Sequence, residues 1–381
     1  MSKKRILIDA DSVVPYFVSG RVSGIGRTTM ELIQALDRQP ELPFEVMLYS
    51  QNMKGIGGRN LRTHFPCRHV YLPNRTRWNK ALAHFPVREA LTRYDLMHIT
   101  HNFEYVHRPD RCIVTIHDAL FMKMEEKQFA HAAMRREVPP LARACRHLIT
   151  CSEASKRDIV ETMDVPPEKV TVIYWGVKHH IFHPLEVEKA DLISTLREHF
   201  PTMPTDFFLS VSCNAERKRT HLLVDAYIEL FRQCPVNDLV LVWGNAPDWI
   251  RVKVNTSPAA GHIHFLTAVS DEELAMLYNA ATASFTPSSY EGFGLPLLEA
   301  MACGTPVVTC HNSSLEEIGA EAVLYMDEPV VTSAVLMMEQ FENHAIDRAT
   351  LRQKGISRAA AFTWEKTAAR TVNVYTLQLE L

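Results

Sequence analysis

The stretch of this sequence that most restricts the fold is a strand, a glycine-rich turn and a short helix over residues 284–308. Apolar residues 283–286 predict the strand. Gly292 and Gly294 permit backbone conformations that other residues rarely adopt, and they bring backbone N–H groups close to a ligand. Pro296 fits the first helical position, where a missing N–H costs nothing. The sequence therefore predicts a helix whose amino end points at the turn, a place suited to a phosphate group.

Two glutamates flank this turn. Glu291 comes just before it, and we expect Glu299 in the first turn of the helix. Carboxylates repel phosphate oxygens but accept hydrogen bonds from the hydroxyl groups of a sugar or a ribose. A turn that binds an anion between two such carboxylates indicates a sugar nucleotide. The alternative is a pair of solvated acids, which are favourable near the amino end of any helix.

The segment Glu-Gly-Phe-Gly-Leu-Pro-Leu-Leu-Glu, from Glu291 to Glu299, resembles the Glu-x7-Glu motif of the retaining glycosyl transferases group 1. That family includes bacterial mannosyltransferases and sucrose synthases. The resemblance extends over nearly the whole chain and implies the GT-B fold, an α/β architecture of two Rossmann-like domains facing each other across a cleft. It implies that Glu291 contacts the donor sugar and that Glu299 holds the nucleotide ribose. The remaining donor-binding positions of this motif are Gly292, Phe293, Gly294 and Leu295.

Length and composition indicate a soluble globular protein of two domains. The chain has 381 residues, of which 46% are hydrophobic and 22% charged. No run approaches the ~18 apolar residues of a membrane span, and no secretory signal is expected at the start. The eight cysteines form no Cys-x-x-Cys pair, which favours reduced thiols in the cytoplasm and no zinc site.

The predicted domains are an N-terminal, acceptor-binding one over residues 1–183 and a C-terminal, nucleotide-sugar-binding one over 184–362. Residues 176–205 contain three prolines and one short helical piece, and we interpret them as the linker. The resemblance implies that a last helix, residues 363–381, packs back on the first domain.

Charge is distributed unevenly along the chain. Residues 1–183 hold 27 Lys and Arg against 19 Asp and Glu, whereas residues 184–381 hold 14 against 25. A basic N-terminal half suggests an anionic acceptor or the inner face of a membrane, and scattered surface charge is the alternative. Within it, residues 73–93 interleave basic and apolar side chains, which suggests peripheral membrane contact or an ordinary solvated helical face. The basic members are Arg75, Arg77, Lys80, Arg88 and Arg93, and the apolar ones include Trp78, Phe85 and Leu91.

Two N-terminal segments carry further candidate residues. A strand followed by Gly24-Ile-Gly-Arg27 is similar to a Rossmann opening, although the third glycine of the dinucleotide motif is missing. The resemblance implies that Gly24 lies against the donor phosphates and Arg27 near the acceptor. The strand 112–116 ends in His117-Asp118, which resembles a family motif in which the histidine lies by the donor sugar and takes part in catalysis. Asp118 is the accompanying acceptor-binding candidate, and a histidine satisfied within a loop is the alternative for His117.

Three cations follow the first strand of the second domain. Arg217, Lys218 and Arg219 are suited to holding a diphosphate. The resemblance implies that Lys218 binds the donor phosphates. The family often has a Gly-Arg pair a few residues earlier, where this chain has Ser212 and Cys213, so either Arg217 or Arg219 would replace that arginine.

Asp9 and Asp11 form an Asp-x-Asp pair that suggests a metal ion. The GT-B fold usually works without one, so we expect no metal and no cofactor, the nucleotide sugar being a substrate.

These observations predict a retaining hexosyltransferase with His117, Lys218 and Glu291 as catalytic residues. The resemblance implies the favoured substrates. The donor is GDP-mannose, and the acceptor is a saccharide or lipid-linked saccharide of a bacterial O-antigen or capsule. Two alternatives stay open. One is a non-catalytic subunit that binds a sugar nucleotide for a partner enzyme. The other is a UDP-sugar epimerase of the same fold, for which we find no clear pair of carboxylates near the sugar.

Overall fold

The computed structural model describes residues 3–20, 23–73, 76–124, 131–234 and 237–380. The chain divides into two compact units, one made of Met1–Gly176 with Trp364–Leu381 and the other of Val177–Thr363. The first unit ends before the predicted boundary at residue 183, because Val177 forms a β-bridge with Thr363 of the second unit. Lys178 also binds Asp271 of that unit, with 3.0 Å between Nζ and Oδ2.

The first unit alternates strands and helices. In its described part the strands are β1 (Arg5–Asp9), β2 (Glu45–Gln51), β3 (Cys67–Val70), β4 (Leu96–Ile99), β5 (Cys112–Thr115), β6 (His147–Thr150) and β7 (Val170–Val172). The helices before residue 176 are α1 (Val14–Ser19), α2 (Gly24–Asp37), α3 (Thr76–Leu82), α4 (Val87–Thr92), α5 (Leu120–Lys123), α6 (His131–Ala144) and α7 (Glu153–Met163). A helix over 127–145 is predicted, and its first residues, 127–130, lie outside the described residues.

These strands form one parallel sheet in the order β3-β2-β1-β4-β5-β6-β7. Helices cover both faces of such a sheet, which is why β4, β5 and β6 are buried along their whole length. Ile6 in β1 lies opposite Val46 on one side and Leu96 on the other. The strand order reverses beside β1, so the carboxyl ends of β1 and β4 flank the switch point where open α/β sheets bind ligands.

The second unit repeats this arrangement. Its described strands are β8 (Phe207–Val211), β9 (Asp238–Val242), β10 (Ile263–Leu266), β11 (Ala283–Phe285), β12 (Val307–Cys310) and β13 (Leu324–Met326). The accompanying helices are α8 (Lys189–His199), α9 (Thr220–Phe231), α10 (Asp248–Asn255), α11 (Asp271–Ala280), α12 (Leu295–Ala302), α13 (Ser313–Gly319), α14 (Val331–Glu342) and α15 (Arg348–Ala359). α8 packs against α11, so the predicted linker is part of this unit.

The second sheet is also parallel, in the order β10-β9-β8-β11-β12-β13. Phe208 in β8 lies opposite Leu239 on one side and Ala283 on the other. Its switch point therefore lies between β8 and β11. The loops that follow these two strands contain the three cations and the glycine-rich turn.

Local sequence rules place several helix starts correctly. The Ser270 hydroxyl accepts a hydrogen bond from the Glu273 N–H at 3.1 Å, and the Glu273 carboxylate accepts one from the Ser270 N–H at 2.7 Å. These two hydrogen bonds form a capping box, which the Ser270-Asp-Glu-Glu273 segment predicts from its spacing. The Ser152 hydroxyl caps α7 by accepting a hydrogen bond from the Ser155 N–H at 3.0 Å.

The last helix, α16 (Trp364–Glu380), packs against α2 of the first unit. Its Tyr375 hydroxyl lies 2.5 Å from His98 Nδ1, and Arg146 donates a hydrogen bond to the Gln378 carbonyl at 2.9 Å. The C-terminal helix is thus part of the first unit. None of the helices in the described part of the chain is long and apolar enough to cross a lipid bilayer.

Candidate active site

The glycine-rich turn leads from β11 into α12 as predicted. Gly294 has φ of 101°, a left-handed conformation, and a Cβ at this position would lie 3.1 Å from Leu315 Cδ2. Glycine therefore meets both a conformational and a steric requirement here. The helix begins at Leu295, so Pro296 occupies its second position and not the first as predicted. The first N–H groups of α12 have no acceptor within the helix, and its amino end is oriented toward the turn.

Glu299 does not lie in the first turn of α12, contrary to the prediction, because the first turn contains no acidic residue. It lies one turn further along and is only 4% exposed, while Glu291 is 7% exposed. The interpretation of these residues as solvated acids at a helix start is therefore wrong. Burying a carboxylate is costly unless it is paired, which makes the partners of Glu291 informative.

Glu291 is held by three side chains. Its Oε1 accepts hydrogen bonds from Lys218 Nζ at 2.6 Å and from the Ser288 hydroxyl at 2.7 Å. Its Oε2 accepts one from Arg217 Nη1 at 3.2 Å. We call these four residues, Arg217, Lys218, Ser288 and Glu291, the Glu291 cluster. Burial alone would raise the pKa of Glu291, but the charges of Lys218 and Arg217 and the hydrogen bonds from Lys218 and Ser288 hold it below its ordinary value.

The backbone after β8 positions the two cations. Glu216–Lys218 form a short 3-10 turn, and the left-handed Arg219, with φ of 52°, leads from it into α9. The Arg217 carbonyl accepts a hydrogen bond from the Ser289 N–H at 2.8 Å. This bond joins the loop after β8 to the loop after β11. The cluster therefore lies at the switch point of the second sheet.

The structure distinguishes between Arg217 and Arg219, the two candidates to replace the arginine that this chain lacks. Arg217 lies against Glu291, whereas Arg219 serves as the residue before α9. Cys213, which stands where the family often has an arginine, is exposed. The geometry thus favours Arg217 as the partner of Lys218.

Sequence reasoning missed the residues that hold the Glu291 backbone. The Ser313 hydroxyl accepts a hydrogen bond from the Glu291 N–H at 2.9 Å, and the Ser314 hydroxyl donates one to the Glu291 carbonyl at 2.8 Å. Asn312 Nδ2 donates to the Ser288 carbonyl at 2.8 Å. The Asn-Ser-Ser stretch at the start of α13 was the only sequence signal for these contacts.

The Glu291 cluster combines two permanent positive charges with one carboxylate, beside the amino end of α12. This net positive charge favours an anion such as a diphosphate, and the carboxylate oxygens are acceptors for hydroxyl groups. Glu299 adds a second buried carboxylate on α12. The predicted donor-binding residues Gly292, Phe293 and Gly294 lie in the connecting turn, and Leu295 begins α12. The centroid of the Phe293 ring lies 6.1 Å from the centroid of the Phe362 ring.

His117 and Asp118 follow β5 in the first unit. His117 Nε2 lies 3.0 Å from the Thr100 carbonyl, which accepts only, so Nε2 carries the proton. Burial lowers the pKa of His117 to about 4, so the imidazole is neutral at pH 7 with Nδ1 as an acceptor. The Asp118 carboxylate accepts a hydrogen bond from the Leu120 N–H at 3.0 Å. Their roles beside the donor sugar and the acceptor stay predictions.

Gly24 and Arg27 lie in the first turn of α2. The Ser23 hydroxyl caps this helix by accepting a hydrogen bond from the Gly26 N–H at 3.0 Å. Apart from its chain neighbours and its own helix, a Cβ at Gly24 would meet no heavy atom of the described residues within 4 Å. The amino end of α2 is thus accessible at Gly24, and the predicted donor and acceptor contacts of Gly24 and Arg27 stay predictions.

Backbone N–H groups orient both carboxylates of the Asp9 and Asp11 pair. Asp9 Oδ1 accepts a hydrogen bond from the Asp11 N–H, and Asp11 Oδ1 accepts one from the Gln51 N–H, both at 2.8 Å. Among the described residues, Asp9 groups with His101 and Glu104, with ligand atoms all within 4.8 Å of one another.

Comparison with known families matches both units. The model described as "Glycosyl transferases group 1" matches residues 194–358, and the model described as "Glycosyltransferase Family 4" matches residues 22–180. The first match contains Arg217, Lys218, Glu291 and Glu299, and the second contains Gly24, Arg27, His117 and Asp118. The two models together match both units, so the chain is a glycosyltransferase related to the families that these models describe. The resemblance drawn from the Glu-x7-Glu segment is confirmed, and so is the class of enzyme.

Similar proteins include two mannosyltransferases. The glycosyltransferase is 27% identical to the O-antigen chain mannosyltransferase B of Escherichia coli over 72% of this chain and 73% of that protein. It is 30% identical to the MMP alpha-(1->4)-mannosyltransferase of Mycolicibacterium hassiacum over 62% of this chain and 55% of that protein. The chain thus spans little more than half of the second relative.

The fold is shared with solved glycosyltransferases. Anabaena HepE in complex with UDP and glucose superimposes with a TM-score of 0.73 at 18% identity, covering 98% of this chain and 99% of that one. The glycosyltransferase has the GT-B fold, with two Rossmann-like units.

Proposed function

We propose that this glycosyltransferase transfers mannose from GDP-mannose, with retention of configuration, to a saccharide or lipid-linked saccharide of a bacterial surface polysaccharide. The observation that carries the proposal is the Glu291 cluster beside the amino end of α12. The choice of mannose and of an O-antigen type of product is supported by the names of the two mannosyltransferase relatives.

In the proposed reaction, charge develops on the leaving diphosphate. Lys218, Arg217 and the first N–H groups of α12 stabilise that charge, and Glu291 fixes the two cations before the donor arrives. Stabilisation that is already in place needs no rearrangement during the reaction, and one such contact contributes on the order of 3 kcal/mol. Glu291 also accepts a hydrogen bond from a hydroxyl of the donor sugar, and Glu299 one from the ribose.

The protonation state of His117 limits what this residue can do in the proposed reaction. With its pKa lowered to about 4 by burial, it is neutral at pH 7 and cannot donate a proton from a charged form. Its Nδ1 accepts a hydrogen bond from the donor sugar. The donor phosphate takes the proton of the acceptor hydroxyl on the face from which the diphosphate leaves, which is how retention arises without a separate general base.

Donor selection is tested with GDP-mannose, UDP-glucose and ADP-glucose, each with and without a mannose-containing acceptor. We expect GDP-mannose to raise the thermal unfolding midpoint, since a ligand that binds the folded state stabilises it. We also expect GDP release only when acceptor is present, and an α-linked product by NMR. Conversion of a donor without acceptor would instead indicate an epimerase. Binding without turnover would indicate a non-catalytic subunit.

We further propose that the enzyme acts at the cytoplasmic face of a membrane and contacts anionic lipid through residues 76–93, which we call the α3–α4 surface. Trp78 is 56% exposed and Phe85 is 63% exposed. Arg77, Lys80 and Arg93 are exposed beside them. Pro86 predicts a break in any single long helix over these residues, and the structure agrees, since α3 ends at Leu82 and α4 begins at Val87.

Not every basic residue of this stretch belongs to the surface. Arg88 turns inward, where it donates a hydrogen bond to the Tyr105 carbonyl at 3.3 Å. Arg75 lies outside the described residues. Exposed aromatic rings beside cations are suited to the headgroup region of an anionic bilayer.

We expect the double variant Trp78→Ser, Phe85→Ser to lose at least tenfold in affinity for phosphatidylglycerol vesicles. Burying one such side chain in the bilayer contributes about 1.5–3 kcal/mol. Co-sedimentation at low and high salt measures the affinity, and salt weakens the charged part of the contact. Trp249→Ser is the matched control, because Trp249 in the second unit is 57% exposed. Equal losses in both variants would contradict the assignment.

A further inference from the structure

A cluster of ligand-bearing side chains lies at the switch point of the first sheet, apart from the Glu291 cluster. Asp9 is the last residue of β1, and His101 and Glu104 follow β4, its neighbour in the sheet. Parallel strands that are adjacent bring the residues at their carboxyl ends together. Asp9 is far in sequence from His101 and Glu104, and the pairing of β1 with β4 brings the two segments together.

The distances among these side chains suit a single metal ion. His101 Nε2 lies 3.6 Å from Asp9 Oδ2, and ligand atoms of all three residues lie within 4.8 Å of one another. Two ligands of a tetrahedral ion at ~2.1 Å lie roughly 3.4 Å apart. The Asp9 and His101 atoms are therefore already close to the spacing that an ion between them requires.

Two polar atoms of this cluster lack hydrogen-bond partners in the described part of the chain. Asp9 is 1% exposed, and its Oδ2 makes no hydrogen bond among the described residues. Nδ1 of His101 is likewise buried without a partner in that part of the chain. A buried carboxylate oxygen without a partner is costly, so each such atom requires an explanation. An ion bound at Asp9 Oδ2 supplies one.

The neighbouring contacts orient the ligands. The other Asp9 oxygen accepts a hydrogen bond from the Asp11 N–H at 2.8 Å. Glu104 Oε1 accepts one from the Tyr105 N–H at 2.8 Å and lies 3.4 Å from Asn79 Nδ2. Hydrogen bonds of this kind fix the direction of metal-binding carboxylates.

The local charge is also unbalanced. Asp9, Asp11 and Glu104 place three carboxylates near one another, and Arg88 supplies a permanent positive charge 3.8 Å from Glu104. A divalent ion would compensate the remaining negative charge. A direct pairing of His101 with Asp9 is the competing explanation, and metal titration separates the two.

We propose that Asp9, His101 and Glu104 bind one divalent transition-metal ion, of the Mn²⁺ or Zn²⁺ class, in the first unit. One imidazole and two carboxylates suit these ions, whereas Mg²⁺ and Ca²⁺ prefer oxygen ligands alone. Three protein ligands leave a coordination position for water or for a hydroxyl-bearing ligand. The metal ligands belong to the first unit, whereas Lys218, Arg217 and Glu291 belong to the second, so metal binding can be measured independently of those three residues.

The test titrates Mn²⁺ into the full chain after treatment with EDTA and removal of the chelator. Loss of the free Mn²⁺ signal in electron paramagnetic resonance measures binding, and Zn²⁺ is added as a competitor. We expect one Mn²⁺ per chain, displaced by one equivalent of Zn²⁺ and not by an equal concentration of Mg²⁺. His101→Gln and Asp9→Asn should each weaken Mn²⁺ binding at least tenfold.

The matched control is another histidine–aspartate pair of the same unit. His64 Nδ1 lies 3.1 Å from Asp37 Oδ2, with the histidine side chain 95% exposed. We expect His64→Gln to bind Mn²⁺ as the unmodified chain does, and Lys218→Ala to do the same even though donor turnover is lost. Circular dichroism confirms that each variant is folded, and His101→Gln serves alone if Asp9→Asn does not fold. Absence of Mn²⁺ binding in the unmodified chain, or equal weakening by His64→Gln, would overturn the proposal.

Discussion

Replacing Lys218 by alanine is expected to lower kcat by 10²–10³-fold and to weaken GDP binding at the same time. Lys218 lies in the Glu291 cluster at the switch point of the second sheet, where its ammonium group would contact the diphosphate in the ground state and as charge develops. Removing one preorganised donor of this kind typically costs 10²–10³ in kcat. Initial rates of GDP release and calorimetric titration with GDP measure the two effects.

Lys253→Ala is the control for this substitution. Like Lys218, Lys253 pairs with a carboxylate of the second unit, in this case Asp225, but the Lys253 side chain is 42% exposed. A surface pair of this kind contributes little, so both rate and GDP affinity should stay close to those of the unmodified enzyme. If Lys218→Ala bound GDP with unchanged affinity, Lys218 would not be a phosphate ligand.

The second large effect is expected for Glu291→Gln, which removes a charge while keeping the shape of the side chain. Turnover should fall at least 10²-fold, because the donor sugar loses a hydrogen-bond acceptor and the two cations lose the group that fixes them. GDP affinity should be unchanged or higher, since Lys218 and Arg217 then have no competing carboxylate. A parallel loss of turnover and GDP affinity would mean that Glu291 acts only through the phosphate site.

The same variant should also lose stability, by about 3 kcal/mol, because it leaves two largely buried cations without their carboxylate. The pKa of Glu291 is held below its ordinary value of 4.5, so its stabilisation is complete above that pH and is lost as pH falls further. The difference in unfolding free energy between enzyme and variant should therefore shrink below pH 4.5. Urea unfolding at several pH values measures it. Glu45→Gln, at an exposed pair with Arg5, should change stability by less than about 1 kcal/mol.

Much of the second unit follows from local sequence rules. The strand, turn and helix around Gly294 and the capping box at Ser270 each depend on residues close together in the chain, and the structure confirms both. The start of α12 is displaced by one residue, because Gly294 in its left-handed conformation ends the turn and Leu295 then begins the helix. Local rules locate such elements, and their exact ends depend on the surrounding packing.

Long-range contacts were harder to anticipate. Ser313 and Ser314 hold the Glu291 backbone because β11 and β12 are neighbours in the sheet, and hydroxyl groups have no sequence pattern that marks such contacts. Asp9 and His101 meet for the same reason, through the pairing of β1 with β4. Residues 176–205 contain several prolines, yet they form part of the second unit because α8 packs on α11. Predicting each of these contacts from the sequence would have required the strand order or the packing of the helices.

The central claim is that the second unit binds the donor diphosphate between the Glu291 cluster and the amino end of α12. A crystal structure of the enzyme with GDP-mannose tests it most directly. We predict phosphate oxygens at hydrogen-bonding distance, ~2.7–3.2 Å, from Lys218 Nζ and from a backbone N–H at the start of α12, with a Glu291 oxygen on a mannose hydroxyl. A diphosphate bound elsewhere, or a Lys218 side chain directed away from it, would contradict the account.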